Sequence, residues 1–127
     1  MGELQAALES MFDAFERGDT EALVASVASE SQGVDEISRK WMRGADEVQN
    51  YLRGLVSMVT GMKTVVTDGN ETIEGDTGLL TCWIDQDYTV EGAAQHVSAP
   101  TTVIFKREAG AWRFSLFHSI PLPPEEA

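Results

Sequence analysis

The chain has 127 residues, a length that suits one domain, and we predict a single domain over residues 1–127. Its 21 acidic residues outnumber its nine basic residues, which gives a net charge of −12. Such a surface repels nucleic-acid phosphates and anionic membranes, so we expect neither as a partner. No window approaches the ~20 apolar residues of a membrane span. The single cysteine, Cys82, excludes an internal disulfide, and we expect a cytoplasmic protein.

Helical periodicity dominates the first part of the chain. Gly18 is placed to end a first helix, and Asp19 is placed to cap a shorter second helix that extends to Val27. A polar break is expected at residues 29–33. The apolar stripe of the first helix is formed by Leu4, Leu8, Met11, Phe12 and Phe15.

A third helix is predicted after Gly44, beyond a short hairpin or loop at residues 34–42. Asp46 and Glu47 occupy its first turn, where the helix dipole favours acids. Gly54 lies inside this helix at a cost of about 1 kcal/mol relative to alanine, which predicts a closely packed neighbour. The apolar stripe consists of Val48, Tyr51, Leu52, Leu55 and Val59.

After Gly61 the hydrophobic period changes to two, which is typical of strands. Residues 62–73 predict a strand with a fold at Asp68-Gly69-Asn70, and residues 96–107 predict a strand that Pro100 confines to an edge or a bulge. Residues 79–88 form the clearest strand, with Leu80, Cys82, Ile84 and Tyr88 on one face. The last strand, 112–120, places on one face Trp112, Phe114, Leu116 and His118.

The strand-rich half carries apolar residues on both faces. One face can pack against the three helices, whereas the other, with Trp83 and Phe117, would expose aromatic side chains on a monomer. We therefore expect a homodimer that buries the second face of the sheet.

Three segments carry a resemblance to a known family, and their order spans the chain from residue 4 to residue 120. They are FERGD at 15–19, WMRG at 41–44 and GAWRFSLFHS at 110–119. The chain resembles the NTF2-like superfamily, which includes SnoaL-like polyketide cyclases, ketosteroid isomerases and kinase association domains. The last two segments look most like the SnoaL-like subgroup related to the calcium/calmodulin-dependent kinase II association domain.

The resemblance implies an α+β fold, the cystatin-like cone, in which three N-terminal helices pack on a curved antiparallel sheet. It also implies dimerisation through the sheet and a pocket inside the cone. Because this architecture hosts enzymes and binding proteins alike, function has to be argued from the site.

Asp35 and His118 are the candidate catalytic residues. Asp35 lies nine positions before Gly44, where the resemblance to ketosteroid isomerases places a base that removes a proton next to a carbonyl. A carboxylate at the rim of an apolar pocket suits that task, although a solvated loop acid is the alternative. His118 is expected to point into the cone as a general base or a ligand contact, or else to be a hydrogen-bonded structural residue.

The predicted pocket walls are apolar and aromatic, and the same residues can also be read as plain core. They are Met11, Phe15, Trp41, Tyr51, Leu55, Ile84 and Trp112. The tyrosine and the protonated acid that stabilise an enolate in ketosteroid isomerases have no counterpart, since Met11 and Phe12 stand on the first helix and Thr101 and Thr102 on the late strand. Cys82 is interpreted as a small buried hydrophobe.

Two functions remain open at this point. One is a pocket for a small, largely apolar ligand, with cofactor-free proton transfer, cyclisation or hydration by Asp35 and His118. The other is a non-catalytic association module whose purpose is its oligomer. No motif for ATP, NAD or zinc is present, so no cofactor or metal is predicted.

Overall fold

The helices form where the apolar stripes predict them in the computed structural model, which describes residues 2–123. Residues 1 and 124–127, which the predicted domain includes, lie outside this range. Helix α1 is Glu3–Arg17 and ends at Gly18, which adopts the left-handed conformation. Helix α2 is Thr20–Ala25, and Asp19 caps it by accepting a hydrogen bond of 3.1 Å from the Ala22 amide. The predicted extension of α2 to Val27 is wrong, because Val27 begins the first strand.

Helix α3 is Ala45–Met58 and carries Asp46 and Glu47 in its first turn, as predicted. The predicted extension of its apolar stripe to Val59 is wrong, because Val59 begins the third strand. Gly54 lies on its exposed side. A Cβ atom built at Gly54 would meet nothing within 4 Å, so the predicted close neighbour is absent.

Six strands form one curved sheet in the order β2-β1-β6-β5-β4-β3. β1 pairs in parallel with β6, and the other neighbours are antiparallel. The three helices and this sheet confirm the predicted α+β cone. The strands are β1 Val27–Asp35, β2 Met42–Arg43, β3 Val59–Glu74, β4 Thr77–Val90, β5 Ala93–Glu108 and β6 Ala111–Ser119.

Two predicted breaks are parts of strands instead. Residues 29–33 belong to β1, whose polar side chains Ser29, Glu30 and Gln32 are exposed. Gln32 and Gly33 pair with both β2 and β6, and the Ser29 amide donates a hydrogen bond to the Glu108 carboxylate. Asp68-Gly69-Asn70 is a bulge within β3, where the register with β4 shifts between Thr67 and Asn70. Asp68 adopts a positive φ of 53° there, and the strand continues without reversing.

Pro100 lies inside β5 at a position that pairs with a neighbouring strand on one side only. It stands opposite Trp83 of β4, whereas the ladder with β6 begins one residue later, at Thr101. The prediction that Pro100 marks an edge is confirmed on the β6 side of the strand.

A bulge at Ser115 reverses the orientation of the end of β6. Ile104 pairs with Leu116 and Phe105 pairs with Phe114, so Ser115 is the extra residue. Phe117 therefore turns toward the helices, where its ring lies 6.3 Å from that of Phe12, and His118 turns outward. The predicted common face of Phe114 and His118 is wrong, as is the outward position of Phe117.

The core lies between the helices and the inner face of the sheet. On β4 the predicted inner face is confirmed, because Leu80, Cys82, Ile84 and Tyr88 are all buried. Leu4 of α1 is fully buried against β4, and a Cβ atom at Gly78 would lie 2.7 Å from its Cδ1 atom. None of the helices in residues 2–123 is both long and apolar enough to span a bilayer.

Candidate functional site

A narrow cavity of about 80 Å³ lies between the helices and the inner face of the sheet. Five of its lining side chains carry polar groups: Asp35, Glu36, Tyr51, Gln86 and Ser119. An apolar cavity of ~150 Å³ binds benzene, so this one suits a ligand of a few carbon atoms or a larger one that widens it. The apolar lining includes Met11, Phe12, Phe15, Val48, Leu52, Leu55, Ile84, Val97, Ala99, Phe114 and Phe117.

Asp35 ends β1 and presents a carboxylate with two unlike oxygens. Its Oδ1 atom accepts hydrogen bonds from the amides of Ile37 and Ser38, at 3.0 and 2.8 Å, and from the Tyr51 hydroxyl at 2.7 Å. The two amide bonds form the turn that follows β1, so local chain geometry fixes the side chain. Within residues 2–123 no hydrogen bond engages Oδ2, which leaves that oxygen available to a ligand.

Glu36 is a second carboxylate at the same cavity, and it reaches across the mouth to β4. Its Oε1 atom accepts a hydrogen bond of 2.8 Å from the hydroxyl of Tyr88, a residue that is 6% exposed. Burial raises the pKa of Glu36 above 4.5, the Tyr88 hydrogen bond opposes that shift, and the nearby Asp35 charge adds to it. Adjacent residues thus place two carboxylates in different surroundings.

Both tyrosines act as hydrogen-bond donors in this cluster. Burial is the main cause that raises the pKa of Tyr51, and the charge and the hydrogen bond of Asp35 add to it. Burial likewise raises the pKa of Tyr88, with Glu36 as the next cause. Tyr51 and Tyr88 therefore keep their protons at neutral pH and orient the carboxylates.

Two polar side chains lie deeper, on the sheet side. The Gln86 amide donates to Thr64 Oγ1 at 3.2 Å and makes a long contact of 3.8 Å with Met62 Sδ. A ligand oxygen can replace that weak sulfur contact. Ser119 shares a hydrogen bond of 2.9 Å with Thr101, so its hydroxyl is also held in place.

The predicted pocket walls divide into two groups. Met11, Phe15, Tyr51, Leu55 and Ile84 line the cavity, and Asp35 lies at its rim.

The other three predicted site residues lie elsewhere. His118 is exposed on the outer face of the sheet, with its ring 5.9 Å from the ring of Trp41, because the Ser115 bulge turns it outward. Trp112 donates its indole N–H to Glu3 Oε1 at 2.7 Å and stacks under Arg107. The expectation that Trp41, Trp112 and His118 face the cavity is wrong.

Sequence reasoning missed Glu36 and Tyr88 as site residues. Glu36 reads as a solvated loop acid beside Asp35, and Tyr88 reads as a core residue of β4. They are 52 positions apart, so no local pattern connects them. The only signal was the alternation that turned Tyr88 inward on the same face as Ile84.

A comparison with protein families decides the relationship. The model of the SnoaL-like domain matches residues 4–123, nearly the whole chain. The chain belongs to the SnoaL-like family. A comparison with curated protein sequences found no significant match.

Several solved structures share the fold of this SnoaL-like domain. A proposed dehydratase of the NTF2-like family from Streptomyces avermitilis is 20% identical over 94% of both chains, with a TM-score of 0.83. A proposed calcium/calmodulin-dependent protein kinase II association domain from Xanthomonas campestris is 17% identical over 95% of this chain and 86% of that one, with a TM-score of 0.82.

A third neighbour, a ketosteroid isomerase-like protein from Erwinia carotovora atroseptica, is 17% identical over 94% of both chains, with a TM-score of 0.76. Other neighbours are described as having a cystatin-like fold. At these identities the likeness establishes the fold of the domain, and its chemistry has to come from its own residues.

Proposed function

We propose that this SnoaL-like domain binds a small, largely apolar carbonyl compound in the cavity and catalyses proton transfer next to the carbonyl, with Asp35 as the base. The observation that carries the proposal is the state of the Asp35 carboxylate. Three donors hold its Oδ1 atom in place while Oδ2 stays available at the rim of an apolar cavity. A fixed carboxylate in reach of a C–H bond is the requirement for general base catalysis.

The remaining cavity groups fit a carbonyl ligand. Gln86 offers an N–H donor on the sheet side, where the oxygen of an enolate would need one. The apolar walls from α1, α3 and β4 would hold the carbon chain and exclude water, which strengthens these contacts. The chemistry needs no cofactor, because the carboxylate alone can accept the proton. His118 has no part in this proposal, since its side chain lies on the opposite face of the sheet.

Deuterium exchange into butan-2-one in D₂O tests the proposal directly. The wild-type domain should speed exchange of the protons next to the carbonyl, and Asp35→Asn should lower that rate at least ~100-fold, the usual contribution of a general base. Asp46→Asn, on the exposed face of α3, is the matched control and should leave the rate unchanged. Equal exchange by wild type and Asp35→Asn would rule out Asp35 as the base.

A second candidate function is association, and a separate observation favours it. Three apolar side chains form a continuous row across the outer face of the sheet, since Leu79 pairs with Ile104 and Ile104 pairs with Leu116. We call these three residues the outer row. Leu79 is 40% exposed, which is costly for a leucine in water. A homodimer that buries the outer row would cover it, whether or not the cavity is catalytic.

A further inference from the structure

We propose that Glu36 is the acid partner of Asp35, and that the two carboxylates together eliminate water from a small β-hydroxy carbonyl compound. This inference rests on the proposed function of the cavity. It adds a second catalytic residue and names the substrate class. The geometry that carries it is the pair of adjacent carboxylates on one cavity, each held by its own tyrosine.

The surroundings of the two groups assign their roles. Asp35 receives two backbone N–H groups and the Tyr51 hydroxyl, all of which favour a negative charge. Glu36 receives only the Tyr88 hydroxyl and is partly withdrawn from water. The charged or titratable groups that face Glu36 are Asp35, Tyr51 and Tyr88, and within residues 2–123 no Lys or Arg forms an ion pair with it. We therefore assign Glu36 as the proton donor and Asp35 as the base.

A second carboxyl group distinguishes elimination from simple isomerisation. One carboxylate can move a proton between two carbons by itself, whereas a hydroxyl departs far more readily when a second group protonates it as the C–O bond breaks. Asp35 Oδ2 takes the proton from the carbon next to the carbonyl, and the electrons of that C–H bond form the new C=C bond. The C–O bond to the hydroxyl breaks with its electron pair, and Glu36 protonates the leaving oxygen to give water. Asp35 ends protonated and Glu36 ionised, and exchange with solvent at the mouth restores both.

One compound, 4-hydroxybutan-2-one, separates the two roles. In D₂O its protons next to the carbonyl report on Asp35, and formation of the conjugated enone reports on Glu36. Glu36→Gln keeps an oxygen that accepts from Tyr88, but its amide N–H groups are too weakly acidic to protonate a leaving hydroxyl. We expect this variant to lose enone formation at least ~100-fold, a far larger loss than any it shows in deuterium exchange.

The outcomes distinguish the two proposals. Enone formation by Glu36→Gln at the wild-type rate would overturn the role of Glu36 while leaving Asp35 as the base. Loss of neither reaction in Asp35→Asn would overturn the function of the cavity itself. Exchange by the wild-type domain without any enone would refute the substrate class.

The pH profile of Tyr88→Phe distinguishes a catalytic Glu36 from a purely structural one, since loss of a structural contact would not shift that profile. The Tyr88 hydroxyl stabilises ionised Glu36, so its removal should shift the alkaline limb of the pH profile for enone formation to higher pH. If the alkaline limb of Tyr88→Phe stays at the wild-type pH, Glu36 is not the acid. A measurement without ligand tests the same point. In protein labelled with ¹³C at the glutamate carboxyl, the Glu36 resonance is identified by its absence in Glu36→Gln, and it should titrate with a pKa above 4.5. Titration at or below that pKa would overturn the proposal.

Discussion

Asp35 and Glu36 are neighbours in sequence, yet they differ in what holds their charge. Asp35 lies inside a turn whose amides point at it, while Glu36 extends away from the turn toward a buried tyrosine on β4. A raised pKa in the folded state has a consequence that can be measured without any ligand, because it links folding to proton uptake.

The free energy of unfolding should depend on pH through Glu36. Its pKa in the folded state is raised by burial above the 4.5 of the unfolded chain. Between those two values the native state holds a proton that the unfolded state has released, so the contribution of Glu36 is full below pH 4.5 and is lost as the pH rises through the folded pKa. Urea unfolding of wild type and Glu36→Gln at pH 4 and pH 8 should show the variant gaining stability relative to wild type at the higher pH.

The comparison needs a control because the chain has many other acids. Glu74, exposed at the end of β3, provides it. Glu74→Gln makes the same chemical change at the protein surface and is measured at both pH values as the reference. If Glu36→Gln behaves like Glu74→Gln, the carboxyl group of Glu36 does not hold a proton in the folded protein above its ordinary pKa.

At the scale of elements, the first turn of α1 depends on a side chain from a distant strand. Gly2 provides no side-chain cap, and Glu71 of β3 instead accepts the amides of Leu4 and Gln5 at 2.9 and 3.0 Å. A carboxylate at this position satisfies two backbone donors and complements the helix dipole. The same turn places Leu4 against Gly78, so the contact fixes where α1 meets the sheet.

Glu71→Ala should destabilise the domain by about 1–2 kcal/mol, the usual cost of losing a helix cap. Urea unfolding measures the loss, and hydrogen exchange should show faster exchange of the amides in the first turn of α1. Glu74→Ala, three residues further along β3, should have little effect. An unchanged exchange rate at Leu4 and Gln5 would show that Glu71 does not cap the helix.

Gly54 offers an opposite test in α3. Since a Cβ atom there meets nothing within 4 Å and the site is exposed, Gly54→Ala should stabilise the domain by up to about 1 kcal/mol through helix propensity alone. Gly44, the N-cap residue with a φ of 93°, is the contrasting position. Gly44→Ala should destabilise, because alanine is strained at that φ. Thermal unfolding of both variants checks the signs, and a loss of stability in Gly54→Ala would reveal a neighbour that the geometry does not show.

Local patterns predicted the elements whose own residues determine them. The Asp19 cap is of this kind, because its contact lies three residues away, and so are the two faces of β4, because they follow from the alternation in its own sequence. β1 was missed at residues 29–33 because contacts with distant segments hold this stretch extended: Gln32 and Gly33 pair with β2 and β6, and the Ser29 amide donates to Glu108. The bulge at Ser115 was missed because Trp112, Phe114, Leu116 and His118 alternate without interruption in sequence, and only the register with β5 reveals the extra residue.

For the molecule as a whole, the site residues also divide into those that a local pattern or a resemblance predicts and those that depend on contacts between distant segments. Asp35 came from a family resemblance, and Tyr51 from the apolar stripe of α3. The contact between Glu36 and Tyr88 depends on how the β4–β5 hairpin approaches the loop after β1, which is a property of the assembled cone. The Ser115 bulge also moved His118 to the outer face, so the predicted acid–histidine pair is replaced by two carboxylates.

The outer row gives a prediction about assembly. If Leu79, Ile104 and Leu116 are buried between two copies, wild type should have twice the chain mass of 13.9 kDa by light scattering, and Ile104→Lys should have the mass of one chain. A buried, unpaired lysine is costly at an interface, whereas on a free surface it is tolerated. Met58→Lys, at the exposed end of α3, places the same charge away from the sheet and should leave the mass unchanged. If Ile104→Lys remains a dimer, the outer row is not the interface. If it is a monomer, its rate of butan-2-one exchange separates the two candidate functions, because a retained rate means that the cavity works within one chain.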